Sequence, residues 1–261
     1  MNEKDIQGLK DWFRAYSARF HMENPGEQKN IALKVAHTLK VVEDAALIAK
    51  GEGIFGEDLL IVQAAALLHD IGRFSQYAEF RTFRDSVSVN HGELGAEVLE
   101  REGVLRGLPD GQRRLILTAV KYHNAYSIPP HLEDRETFFL KLLRDADKLD
   151  IWRVFMEYFE EDREERAEAA GLGLPEEGGI SPEIIGSVFR NQVVPLSEVR
   201  TLDEFKMLQL SWIFGLNFLT SYRLFSERGL LERLASKLPP AEDVREAVVH
   251  IGNFLKAKLR G

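Results

Sequence analysis

The amino-acid sequence predicts an all-α protein. Apolar residues recur at spacings of three and four along most of the chain, as in Leu33, His37, Val41, Ala45 and Ile48, or Leu140, Leu143, Asp147 and Ile151. Helix-start signals stand before several of these runs: Asn90 with Glu93, Ser181 followed by Pro182, and Thr201 with Glu204. No run of strict apolar and polar alternation competes with them.

Taken in order, the periodicity gives helices near residues 3–20, 28–50, 57–69, 91–102, 111–123, 135–150, 151–169, 182–191, 203–227 and 241–258. The segment Gly51 to Gly56 spells GxGxxG, but it follows a helix and not a strand, so the dinucleotide-binding context is missing. Phe74 to Val89, with four aromatics, reads as a long connection that can cover a site, with Asp85 as a candidate acid or base. The charged run after Glu160 leads into a glycine-rich stretch ending at Gly179. That break predicts a core domain over residues 1–160 and a helical extension over 161–261 packed on it. The apolar stretch from Met207 to Tyr222 is too short and too polar for a membrane span and reads as a buried helix. The aromatic residues Phe205, Trp212, Phe218, Tyr222 and Phe225 suit a core, and they leave a homodimer interface open.

Composition narrows the function. The 261 residues are 44% hydrophobic and 29% charged, in the globular range. A net charge of −8 without a basic tail argues against a nucleic-acid polymer as partner, because such surfaces need clustered Lys and Arg. A small anionic substrate stays open if a metal supplies positive charge locally. The absence of cysteine excludes disulfides, thiolate metal sites and a cysteine nucleophile. The N-terminal residues show no secretory pattern, so a cytoplasmic protein with no membrane partner is the expectation. Walker A, HExxH and GxSxG patterns are absent.

Several polar residues fall where folding alone would place hydrocarbon. His37 shares a face with Leu33 and Val41, Asp147 with Leu140, Leu143 and Ile151, and His123 with Ile116, Ala119 and Val120. His69 and Asp70 end the apolar run LLIVQAAALL. A lone buried carboxylate costs several kcal/mol unless paired, protonated or bound to metal, and a shared cation satisfies the set together. Imidazole plus carboxylate suits divalent first-row metals.

His37, then His69-Asp70 in LLHDIGR, then Asp147 in RDADKLD resemble the H…HD…D pattern of the HD superfamily of metal-dependent phosphohydrolases, over roughly residues 31–150. The resemblance implies an HD-domain helical bundle in which His37, His69, Asp70 and Asp147 bind a metal. His91 and His123 would complete a second site with Asp70 bridging, or contact substrate phosphate. The ions would be one or two among Mn, Fe, Co, Ni, Mg and Zn. The substrate would be a small phosphate ester, a nucleotide or related metabolite, attacked by metal-activated hydroxide. Cationic partners for the phosphoryl oxygens would be Arg73, Lys121 and Lys148, with Arg81 and Arg84 from the connection after Phe74; Asp70, Arg73, Lys148 and Asp85 are the candidate catalytic groups. Two other readings accompany this one: a di-iron HD-type oxygenase resembling inositol oxygenase, and a non-catalytic nucleotide-binding HD module.

Overall fold

The computed structural model describes residues 1–160, 174–175 and 178–260. It is 73% helical, with no strand among the described residues. The described residues form two compact units divided within one helix: the first takes in Met1–Asp150, the second the described residues from Ile151 onward. The expected helix tail over 161–169 and the charged run it contains lie outside the described residues.

In the first unit, α1 (Glu3–Ala18) starts at Asn2, whose side chain accepts from the Lys4 and Asp5 amides while Asp5 accepts from the Asn2 amide. This reciprocal pairing satisfies donors that a helix start leaves orphaned. Its Phe13 and Tyr16 pack edge-on against Phe74. α2 (Pro25–Gly51) has Pro25 in its first turn and Asn24 as its cap. The GxGxxG segment is the turn between α2 and α3 (Gly56–Leu68), with Gly53 and Gly56 at φ 77° and 61°. α3 is buried almost throughout, from Leu60 to Leu68, and packs against α1, α2 and α6. Its apolar circumference is what such a central position requires.

The sequence reading is corrected at Phe74 to Val89. Most of its first half is helix: α4 (Ile71–Phe80) begins directly after Asp70 and ends at Arg81 in a left-handed conformation, φ 54°. Phe74 and Tyr77, three residues apart, are its buried face. The connection is therefore shorter, with a 3-10 turn at Asp85–Val87. α5 (His91–Glu102) is capped by Asn90, which accepts from the Gly92 and Glu93 amides. α6 (Asp110–Tyr122) packs on α5, and α7 (Asp134–Glu160) is one helix where two were expected.

In the second unit, α8 (Pro182–Phe189), α9 (Leu202–Ser211), α10 (Leu219–Glu227), α11 (Leu230–Ala235) and α12 (Glu242–Arg260) pack together. The expected helix over 203–227 is broken: α9 ends at Ser211, a 3-10 turn covers Trp212–Gly215, and α10 starts after Phe218. Ser211 helps to end it, since its hydroxyl donates to the Leu208 carbonyl and accepts from the Val194 amide. Phe205, Tyr222 and Phe225 are core residues, while Trp212 and Phe218 are half-buried. Trp152 stacks edge-on with Phe225 at 4.5 Å and donates to the Gln209 carbonyl at 3.0 Å. No helix among the described residues is long and apolar enough to cross a membrane.

Close approach between α4 and α5 needs glycine at one position. A Cβ on Gly72 would collide with the His91 carbonyl and lie 2.7 Å from the Gly95 amide nitrogen, both backbone. In an open helix Gly→Ala is stabilising by roughly 0.5–1 kcal/mol. Here Gly72→Ala should instead destabilise by about 2–3 kcal/mol, because the two backbones must part. Thermal denaturation reads the sign, and a raised midpoint would contradict the packing.

Candidate metal centre

Four helix ends and two helix interiors deliver the site. His69 follows the last residue of α3 and His123 the last residue of α6. Each uses Nδ1 on a carbonyl of its own last turn, Ala66 and Val120 respectively, both at 2.7 Å. That bond satisfies a carbonyl that a helix C-terminus leaves orphaned and turns Nε2 outward. Asp70 stands at the N-cap of α4, yet its side chain makes no capping bond. An Asp there ordinarily contributes about 1 kcal/mol by capping, so its oxygens are engaged elsewhere. His91 opens α5, and His37 and Asp147 project from within α2 and α7.

Asp70 is the centre. Its Oδ2 lies 3.6 Å from both His37 Nε2 and His69 Nε2, and its Oδ1 lies 3.4 Å from His91 Nε2 and 3.6 Å from His123 Nε2. Asp147 Oδ1 closes the first side at 3.1 Å from His37 Nε2 and 3.6 Å from His69 Nε2. The imidazoles approach in pairs, His37 to His69 at 3.3 Å and His91 to His123 at 2.9 Å between Nε2 atoms. Three groups of donors converge closely enough for one ion each: His37, His69 and Asp70; His69, His123 and Asp147; Asp70, His91 and His123. All six are buried except Asp147, which is partly exposed.

Two carboxylates orient the remaining imidazoles. Asp150 Oδ2 takes the His37 Nδ1 at 2.7 Å, and Asp85 Oδ2 takes the His91 Nδ1 at 2.7 Å. Every imidazole thus has an acceptor at Nδ1 and presents Nε2 to the middle. Without a proton on one Nε2 of each pair, lone pairs face lone pairs across about a hydrogen-bond distance. A divalent cation removes that conflict, and a neutral imidazole with Nδ1 bonded to carboxylate or carbonyl is a preferred metal ligand. The donor set therefore fits such an ion.

Charge follows the same geometry. Burial alone would raise the Asp70 carboxyl, but Lys34, His69, His123 and Arg73 hold it well below the usual carboxylate range. Asp147 is likewise held low by His37 and His69 against the effect of burial. Burial disfavours a charged His37, yet its bonds to Asp147 and Asp150 raise it to about 9. Burial, aided by Arg73, pushes His91 down to about 3, so it is neutral beside an ionised Asp85.

The expected basic residues separate. Arg73 is at the centre, its Nε 3.5 Å from Asp70 Oδ1, with Nη1 anchored on Gln76 Oε1, the Phe83 carbonyl and Asp85 Oδ1. Lys148 is half-buried, and burial lowers it to about 8 against the pull of Asp145. Arg81 instead pairs with Glu27 at 2.9 Å and bonds carbonyls of its own helix end. Lys121 is exposed over the Tyr122 ring, and Arg84 is exposed at the start of the 3-10 turn. Asp85, expected as an acid or base, has both oxygens filled: Oδ1 by Arg73 and Gln76, Oδ2 by His91 and Asn124. It serves as the orienting partner of His91. Sequence reasoning missed Lys34, Gln76 and Asn124, and it passed over Asp150, which flanks Asp147, because the family pattern selects the aspartate before Lys148. Asp150 was within reach, being three residues from Asp147 and on its side of the helix.

The orienting carboxylates give one prediction. Asp85→Asn and Asp150→Asn should each weaken divalent-metal binding by about 10–100-fold with the helical signal intact; calorimetry showing unchanged affinity in both would refute their role. His37 gives another. Below pH 9 its proton competes with an ion for Nε2, so metal affinity should rise with pH up to about 9, with about one proton released by His37 per metal-binding event near pH 7.5. The already neutral His91 should release none. In the metal-free protein the same raised pKa stabilises the fold fully below about 6.5 and loses that effect as pH rises through 9. Titrations in buffers of different ionisation enthalpy count the protons, and pH-independent affinity from 6.5 to 9 would contradict the assignment.

Comparison with known families agrees with this geometry. No curated protein and no solved structure matches the chain. The family model for the HD domain matches residues 35–152, a span that contains all six convergent donors. Residues 35–152, a little under half of the chain, are an HD domain.

Proposed function

We propose that this chain hydrolyses a phosphate ester of a small nucleotide or related metabolite, with divalent ions that Asp70 would help to hold. The carrying observation is that the two oxygens of one carboxylate face two separate imidazole pairs. His37, His69, Asp70 and Asp147 would hold one ion, and Asp70, His91 and His123 the other. When bound, such ions supply Lewis acidity toward phosphoryl oxygen and lower the pKa of water from 15.7 toward about 7.

The protein's own groups do the positioning. Asp150 and Asp85 keep His37 and His91 in the tautomer that leaves Nε2 available. Arg73, fixed by three acceptors on Nη1, is a stationary positive charge beside Asp70, suited to charge that grows on phosphoryl oxygens. Lys148, which follows Asp147 in the chain, adds a further positive charge near it. Burial of the donors strengthens each of these electrostatic contacts relative to water.

Purified protein loaded with manganese and held under strict anaerobiosis should release phosphate, or cleave a diester, from at least one member of a broad ester panel. Asp70→Ala should abolish that activity. A fully metal-occupied wild type that cleaves no member of the panel would contradict the proposal, and a strict need for dioxygen would move the chemistry to oxygenation.

A further inference from the structure

Two cations touch Asp70, and they are held in different ways. Arg73 is locked from behind by Gln76, the Phe83 carbonyl and Asp85. Lys34, one turn before His37 on α2, reaches Asp70 Oδ2 with Nζ at 2.9 Å. Its ammonium also lies 5.1 Å from the centroid of the Phe83 ring, whose neighbour on the ring is Arg73 at 5.8 Å. Among the described residues its one ion pair is with Asp70. Lys34 is mostly buried, with 16% of its side chain exposed, so it keeps a narrow outlet to solvent.

Asp70 Oδ2 is the same oxygen that faces His37 and His69. An ammonium and a divalent ion therefore compete for one set of lone pairs, and the divalent ion has the stronger attraction. Once displaced, a mostly buried ammonium needs another anion, because an uncompensated buried charge is costly. Its flexible four-carbon stem lets it turn a short way while the ring face of Phe83 still supports it.

We propose that Lys34 is a substrate-binding residue that passes from Asp70 to a phosphoryl oxygen when the centre is loaded, so that substrate phosphate sits between Lys34 and Arg73. The inference rests on the phosphohydrolase reading and adds a recognition residue that no motif in the sequence marks. Lys34 supplies a point charge with rotatable donors, and Arg73 a fixed one. Together they suit a tetrahedral dianion.

The test separates the two claims by measuring binding without turnover. Inorganic phosphate is titrated into manganese-loaded wild type, Lys34→Met and Lys34→Arg, with manganese affinity measured separately for each. Lys34→Met should bind phosphate at least about tenfold more weakly, with manganese affinity unchanged or higher because a competitor for Asp70 is gone. Lys34→Arg should recover most of the phosphate affinity. Equal phosphate affinity in wild type and Lys34→Met would overturn the assignment and leave the phosphohydrolase reading standing. Loss of manganese in Lys34→Met would also overturn it, by making Lys34 a support for Asp70 alone. A loaded wild type that binds no phosphate would defeat both.

Discussion

The structure depends on an electrostatic conflict that the fold holds in place. Four imidazoles present Nε2 to two carboxylates, within distances that neutral hydrogen bonding can satisfy only in part. Behind them Asp85 and Asp150 add two more carboxylates, against the nearby cations Lys34 and Arg73. Burying such groups is costly unless each finds a partner. Asp70 shows the cost locally, since it occupies a capping position without capping. The arrangement makes physical sense as a receptacle for positive charge, which Lys34, Arg73 and a protonated His37 supply in part.

The scaffold solves a positioning problem by repetition. His69 and His123 each end a helix and each close that helix with Nδ1, so one short-range bond sets ring orientation and helix termination together. His37 and His91 have no such carbonyl and rely on carboxylates from α7 and from the 3-10 turn. The Asp85 network ties that turn to α4, α5 and the residues after α6 through Arg73, Gln76, His91 and Asn124. The glycines at 72 and 92 let backbones approach where these elements meet, Gly72 against His91 and Gly92 against Lys121. The geometry of the centre is thus set by backbone contact as much as by the donors themselves.

Much of this was legible in the sequence because burial of polar residues breaks a periodic pattern. His37, His69, Asp70, His123 and Asp147 stood out as polar residues on or ending apolar faces, His91 followed only from the family resemblance, and the structure brings all six together. The helices with regular three-and-four spacing were legible for the same reason. What escaped depended on tertiary context. The helix after Asp70 was hidden by its polar and aromatic content, and the stretch from Leu202 to Glu227 looked continuous because the bonds of Ser211 to Leu208 and Val194 leave no periodic trace. Arg81 and Lys121 were close in sequence to the motif, but their helices carry them to Glu27 and to the Tyr122 face. Lys34 escaped because a charged residue beside a ligand looks like solvated surface until its partner across the core is known, and Asp150 was passed over because the family pattern selects Asp147 and gives no sign of the bond to His37.

In the reading proposed above, Asp70 would serve two cation sites, one with each of its oxygens. Anomalous diffraction from manganese-soaked crystals tests it most directly. The account predicts two peaks on the order of 3.5–4 Å apart, one beside His37, His69 and Asp147 and one beside His91 and His123, with Asp70 between them. A fully loaded crystal with no peak among these residues, or with Asp70 Oδ1 and Oδ2 both turned away from the metal, would contradict it.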